Sequence, residues 1–248
     1  MYFVTLPDAK MECVLEDGAV FVKIIDGIKE LCPEGNIDFT EQGMQMQVMD
    51  ASHVSLCSML MRSNLFKSYK CPQPLSLGIN FKTLAMMLRG AKGALKLKSD
   101  GDKLEVTVQK LTGTAQYTMN LMDIDSEHLA VPQTEYAAVC LLPSDVFGKV
   151  MRDLSDFSDT CTLDIGETLS VSASGDIGKV DWKADDCKCT VQGETMPLEF
   201  SLRYMSLFSK CAVSPHVVLS MSPDMPICLT FVIEHGFMKF YLAPKIVE

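Results

Sequence analysis

Apolar residues recur at helical spacing in four short stretches of the chain. In residues 18–31, Phe21, Ile24, Ile25 and Ile28 share one face, and in 81–92 Phe81, Leu84, Ala85 and Leu88 do the same. Residues 143–154 align Val146, Phe147, Val150 and Met151, and residues 202–213 align Tyr204, Leu207, Phe208 and Cys211. Each stretch predicts an amphipathic helix of about three turns. Between them the polar and apolar positions alternate with the period of a strand, over 43–50, 53–62 and 217–233. Residues 94–109 hold two alternating runs around Asp100-Gly101, a hairpin signal. The pattern predicts an α+β chain that is mainly strand, with four helices inserted at intervals.

Those intervals carry a repeat. The first and third helical stretches start 125 residues apart and the second and fourth 121 apart, each close to half of 248. After the second helix come a strand, an Asp-containing turn, a strand, a loop and a strand ending at Met122; after the fourth the same series ends at Pro244. Two copies of one domain follow from this: residues 1–121, with a short N-terminal extension of about residues 1–10, and residues 138–248. The segment 122–137 between them carries Asp123, Asp125, Glu127 and Glu135, no basic residue, and Pro132, and is expected to be an acidic linker.

Composition narrows the class. Nearly half the residues are apolar, and no apolar run approaches the length of a membrane span. The opening MYFVTLPDAK lacks a basic start followed by an apolar stretch, so no secretory signal is expected. The ten cysteines are scattered, with Cys187-x-Cys189 as the one close pair; this is not a zinc-ligand spacing and predicts reduced, buried thiols in the cytosol or nucleus. The net charge of -10 argues against a generally basic nucleic-acid binder.

The charge is nevertheless segregated. The four helical stretches hold Lys23, Lys29, Lys82, Arg89, Lys92, Lys149, Arg152, Arg203 and Lys210, against Asp26, Glu30, Asp145 and Asp153. Nine basic and four acidic residues give these stretches +5, leaving -15 for the rest of a chain whose total is -10. One helix with a lysine-rich outer face is ordinary; four against an acidic background predict a shared basic surface, suited to phosphate backbones rather than to base edges.

No catalytic pattern emerges. Nucleophile-elbow, phosphate-loop and zinc-protease motifs are missing, and His53, His128, His216 and His235 are dispersed. SASGDIG at 172–178 is better explained as a turn between strands, and the pairs Asp123 with Asp125 and Asp185 with Asp186 as solvated loop charge. Neither enzymatic activity, nor a cofactor, nor a metal is expected.

Several long motifs in register resemble the eukaryotic-type DNA sliding clamp family, proliferating cell nuclear antigen. They are MDASHVSL at 49–56, LMDIDSEHLAVPQTEY at 121–136, PSDVFGKVMRDLSD at 143–156, VSASGDIG at 171–178, LRYMSLFSK at 202–210, LSMSPDMP at 219–226 and YLAPKI at 241–246. The resemblance implies the DNA clamp fold: two similar domains per chain, each with two helices packed on β-sheets, and three chains closed into a ring. It implies a nuclear polymerase processivity factor that encircles duplex DNA without sequence preference and tethers DNA polymerase, a clamp loader and repair proteins. The nine basic residues named above would face DNA. Partners would dock through a short motif of Gln, an aliphatic residue and two adjacent aromatics, in an apolar groove made by Met49, His53, Leu56, Leu129, Val131, Pro226, Tyr241, Ala243 and Pro244. Tyr117 in 113–120 and Trp182 in 179–185 would lie at subunit contacts. Two other readings share the fold, a subunit of a heterotrimeric checkpoint clamp and a monomeric viral-type polymerase accessory protein. The sequence departs from the family pattern at Met86, a position commonly basic, and in having no lysine between Lys149 and Lys179.

Overall fold

A computed structural model describes residues 9–125, 129 and 135–245; Val131, half of the acidic segment 122–137, the first eight residues and residues 246–248 lie outside the described residues. The chain divides into two compact units. The first comprises Met1–Val48, Ser58–His128 and Glu234–Gly236, and the second Met49–Cys57, Leu129–Ile233 and Phe237–Glu248.

The first unit runs β1 (Met11–Leu15), α1 (Ala19–Ile28), β2 (Glu34–Thr40), β3 (Gly43–Met49), β4 (Ser55–Arg62, of which the part from Ser58 belongs to this unit), β5 (Ser68–Lys70), β6 (Leu75–Asn80), α2 (Phe81–Leu88), β7 (Ala91–Ser99), β8 (Lys103–Lys110) and β9 (Gly113–Asn120). One sheet has the order β5-β1-β7-β8-β9, and β4-β3-β2-β6 are neighbours in another. The predicted hairpin is β7–β8, turning at Gly101 with φ 103°. Helices α1 and α2 pack on each other, α1 against β7 and α2 against β2 and β6. Their predicted apolar faces are the buried ones: Phe21, Ile24, Ile25 and Ile28 on α1, and Phe81, Leu84, Ala85 and Leu88 on α2. Burying each large side chain is worth about 1.5–3 kcal/mol.

The second unit runs β10 (Ala138–Pro143), α3 (Ser144–Ser155), β11 (Thr160–Ile165), β12 (Leu169–Gly175), β13 (Gly178–Lys183), β14 (Lys188–Val191), β15 (Leu198–Ser201), α4 (Leu202–Lys210), β16 (His216–Met221), β17 (Ile227–Ile233) and β18 (Gly236–Leu242). Its strands neighbour in the orders β14-β10-β16-β17-β18 and β13-β12-β11-β15. Element by element this is the topology of the first unit, so the sequence repeat is a structural one. SASGDIG falls on β12, the turn after it and the start of β13. The buried Phe208 of α4 stacks on Phe240 at 4.5 Å between ring centroids, and Phe231 meets Phe240 edge-on at 6.3 Å.

Two helix details differ from the pattern. The second helix ends at Leu88, with Arg89 at its C-cap and Gly90 at φ 74°, a left-handed position suited to glycine. Lys92 therefore belongs to β7 and not to a helix. On α4 the buried face is Leu202, Met205 and Phe208, while Tyr204 and Leu207 are only half-buried and Cys211 lies past the helix end. Polar Ser201 and Arg203 at the start obscured that register. Among the described residues, no helix is long and apolar enough to cross a membrane.

Candidate functional site

Three groups of residues were expected to act, and each is described within its own unit. The first is the basic set. Within the observed helices the basic residues are Lys23, Lys82, Lys149, Arg152, Arg203 and Lys210, all exposed, against Asp26, Asp145 and Asp153. The excess within the helices is three, smaller than the pattern gave, because Lys29 and Arg89 sit at C-caps and Lys92 in a strand. Lys29 is half-buried and ion-paired to Asp26 at 2.5 Å, and Lys149 pairs loosely with Asp145 at 3.8 Å. In the first unit a groove of about 470 Å³ between α1 and α2 is lined by Lys29, Lys82 and Arg89, by Asp26 and Glu30, and by the exposed Met86.

The second group is the apolar set around the chain's end, in the second unit. Its loop, 49–56, is organised by a residue that pattern reading passed over. Asp50 is 5% exposed, and its carboxylate accepts hydrogen bonds from the backbone N–H groups of Ser52 at 2.9 Å, Val54 at 3.0 Å and Ser55 at 2.6 Å. It also accepts one from the Tyr204 hydroxyl at 2.7 Å, which ties the loop to α4. Burial pushes the Asp50 carboxyl up, but these four donors together outweigh it and hold the group below the usual carboxylate range. The turn places His53 at φ 58° and exposed. The Ala243 N–H donates to Val54 O at 3.0 Å, so the FYLAPK ending is hydrogen-bonded to this same loop.

Within the loop Met49 and Leu56 are half-buried and Val54 is 38% exposed; of the other residues expected in the groove, Leu129 is 43% exposed. Pro226 and Ala243 are exposed and Pro244 half-buried. Tyr241 lies on the face of β18 opposite Phe240 and Leu242, and the Cys228 thiol is a hydrogen-bonding partner of both the Tyr241 and the Tyr136 hydroxyls. Burial raises both phenols, Tyr136 to about 12, so both remain neutral hydrogen-bonding groups near neutral pH. Neither Tyr136 nor Asp50 is a residue the sequence pattern singles out, and Tyr204 is expected only on the apolar face of its helix; all three stand inside the quoted motifs.

The ends of the acidic segment are pinned. In the first unit Met122 N–H donates to Gly78 O at 2.8 Å, and Asn36 Nδ2 donates to Ile124 O at 2.8 Å. A side chain at Gly78 would collide with Met122 O, 2.1 Å from where its Cβ would stand. In the second unit Ala137 N–H donates to Ser222 Oγ at 2.7 Å.

The third group lies on edge strands. In the first unit β9 ends the five-stranded sheet, and in the second β13 ends the four-stranded one. Tyr117 on β9 is half-buried under Lys110, whose Nζ donates to the phenol oxygen at 2.8 Å and stands 5.1 Å from the ring centroid. Trp182 on β13 is half-buried, among exposed Lys179, Asp181 and Lys183.

Two copies of one unit, each with two helices packed together on β-sheets, make a two-domain DNA clamp fold. Residues 10–128 match the family model described as proliferating cell nuclear antigen, N-terminal domain, and residues 130–246 the one described as proliferating cell nuclear antigen, C-terminal domain. The chain belongs to the proliferating cell nuclear antigen family of sliding clamps.

Proposed function

We propose that this chain is the replicative sliding clamp itself: a nuclear homotrimer that encircles duplex DNA, tethers polymerases and other replication and repair proteins, and catalyses no reaction. The observation that carries the reading is the pair of open edges. One unit ends in the polar strand β9 and the other in the polar strand β13, and each leaves backbone N–H and C=O groups on one side for another chain. Head-to-tail pairing of β9 on one copy with β13 on the next closes into a ring when the rotation permits. Tyr117 and Trp182 then lie at each joint.

In this reading Lys23, Lys82, Arg89, Lys149, Arg152, Arg203 and Lys210, with smaller shares from Lys29 and Lys92, contact phosphates. Such contacts hold no sequence information and exchange readily, so the ring slides. Topological linkage, rather than affinity, keeps it on DNA. Partners dock a Gln/aliphatic/aromatic-aromatic motif against Met49, His53, Leu56, Leu129, Val131, Pro226, Tyr241, Ala243 and Pro244, with Tyr136 behind Tyr241. Residues 122–137 serve as the linker between clamp domains 1–121 and 138–248, and the flanks of the docked peptide run along it.

The test is molar mass by light scattering on the chain purified alone, followed by polymerase processivity on primed circular DNA with a clamp loader. A mass three times 27.4 kDa and extended products are expected. A monomer at micromolar concentration overturns the homotrimer, and would direct attention to the checkpoint-subunit and monomeric accessory readings.

A further inference from the structure

Antiparallel pairing of β10 with β14 sets Cys140 directly opposite Cys189. Cys187, two residues earlier, shares the parity of Cys189 and returns a third sulfur to the same face. The three sulfur atoms lie within 4.8 Å of one another, and those of Cys187 and Cys189 are 3.7 Å apart. Cys140 is buried beneath, while Cys187 and Cys189 are half-buried and so reachable from solvent. The other seven cysteines are all buried and have no place in this trio.

The spacing discriminates between thiol chemistries. A disulfide requires about 2.0 Å between sulfurs. Two thiolates sharing one tetrahedral zinc at about 2.3 Å stand about 3.8 Å apart, close to what Cys187 and Cys189 already show. Three sulfur donors with no carboxylate or imidazole among them select thiophilic cations and disfavour calcium or magnesium. Thr168 adds an outer group: its Oγ1 lies 2.9 Å from Ala184 O and 3.5 Å from the Cys187 sulfur, and once Cys187 is a thiolate its single proton can turn to that sulfur and orient the ligand.

We propose that Cys140, Cys187 and Cys189 form a three-thiolate zinc site, with a water completing the tetrahedron on the solvent side. Binding replaces thiol protons with one dication and releases those protons to solvent. The ion ties β14, an outer strand of its sheet, and the segment that follows β13 to the interior strand β10. The site is independent of DNA and of peptide docking, and stands whether or not the clamp reading does.

The test uses the full chain, reduced, stripped with a chelator and dialysed anaerobically against zinc chloride. One zinc per chain is expected by elemental analysis, and a higher Tm with zinc than without. C187S/C189S should weaken zinc binding by more than the about 10–100-fold that follows loss of an outer-shell partner, whereas C161A, in β11 of the same unit, should retain it. Cobalt(II) offered to the wild-type chain should give a thiolate-to-metal charge-transfer band, a readout that needs no variant to fold. Zinc uptake by the wild type no greater than by C187S/C189S, the lack of that band, or a Cys187–Cys189 disulfide formed in place of zinc binding would overturn the site.

Discussion

The two units share one topology and differ in which strand each leaves exposed. In the strand orders β5-β1-β7-β8-β9 and β14-β10-β16-β17-β18, β9 of the first unit corresponds to β18 of the second. On β9 only Met119 is buried, whereas β18 buries Met238, Phe240 and Leu242. In the other sheets the inequality reverses: β4 buries Ser55, Cys57, Met59 and Met61, while its counterpart β13 buries no residue. Each unit leaves the alternating face of one strand largely unburied, Ala115 and Tyr117 on β9 and Val180 and Trp182 on β13, and the two places are not equivalent. An open edge with an apolar face invites indiscriminate pairing, whereas polar alternation on an open edge keeps the backbone available and the surface soluble. The repeated topology supplies a common frame, and the difference between the two strand pairs gives the proposed head-to-tail assembly its polarity.

The largest effect is expected where that comparison is broken. Tyr117→Ala with Trp182→Ala removes the two aromatic groups from the open edges while leaving the buried strands intact. Interface aromatics are each worth about 2 kcal/mol or more on truncation, so sedimentation at micromolar concentration should show monomer for the variant and the proposed trimer for the wild type. Trp182 is the only tryptophan, so in Tyr117→Ala alone its emission should move to the value that the wild type reaches on dilution. A double variant that remains trimeric would detach the edges from assembly.

The next effect concerns the second unit alone. Tyr241→Ala or Leu129→Ser should weaken a labelled docking peptide by about 30-fold in an anisotropy titration, the equivalent of about 2 kcal/mol. The trimer should be unaffected, because neither residue is on β9 or β13. Equal loss of peptide and trimer would show that the two exposed regions are not separable.

How much of this was legible in advance differs between the elements. The faces of α1 and α2 were readable because long apolar residues follow helical spacing without interruption. On α4 the first turn begins on Leu202 after Ser201, and the half-buried Tyr204 drew the predicted face away from Met205. Lys92 was misplaced because Gly90, at φ 74°, stops α2 by backbone geometry that an apolar period does not register. The role of Asp50 was hidden for another reason: it acts through three backbone N–H groups and a hydroxyl from α4, and side-chain spacing says nothing about those. Likewise Cys140 joins Cys187 and Cys189 only through strand pairing, a long-range fact.

A smaller effect follows from Asp50 and carries a sign. Its folded pKa lies below the ordinary carboxylate value near 3.9, so its contribution is fully present above about pH 4 and is lost as the pH falls through the lowered folded value. Peptide affinity should therefore be flat from pH 7 to 5 as far as this loop is concerned, and fall on further acidification. Asp50→Ala should cost about 1.5–3 kcal/mol of stability at neutral pH, typical of hydrogen bonds to a charged group. Chemical denaturation at pH 7 and at pH 3 should show the gap between variant and wild type closing at the lower pH. A gap that stays constant would mean that the carboxylate charge is not what holds the loop.

The smallest expected effect tests the helix pairs against each other. Lys149 and Arg152 project from α3 away from its buried Phe147, Val150 and Met151, and the loose Lys149–Asp145 pair at 3.8 Å is an exposed helical ion pair worth at most a few tenths of a kcal/mol. Replacing both by Ala should therefore leave denaturation within about 0.5 kcal/mol of wild type. Each phosphate contact removed lowers the slope of log affinity against log salt by about 0.9 for duplex DNA, so the pair should lower it by nearly 2 while sequence preference stays absent. Lys29→Ala, in the first unit, is the contrast: Asp26 already neutralises that ammonium at 2.5 Å, so its loss should change the slope far less. Lys92, moved from α2 to β7, should fall between. An equal change at all four positions would mean that net charge alone governs DNA binding, and an unchanged slope in the α3 double variant would remove that helix from the DNA-facing surface.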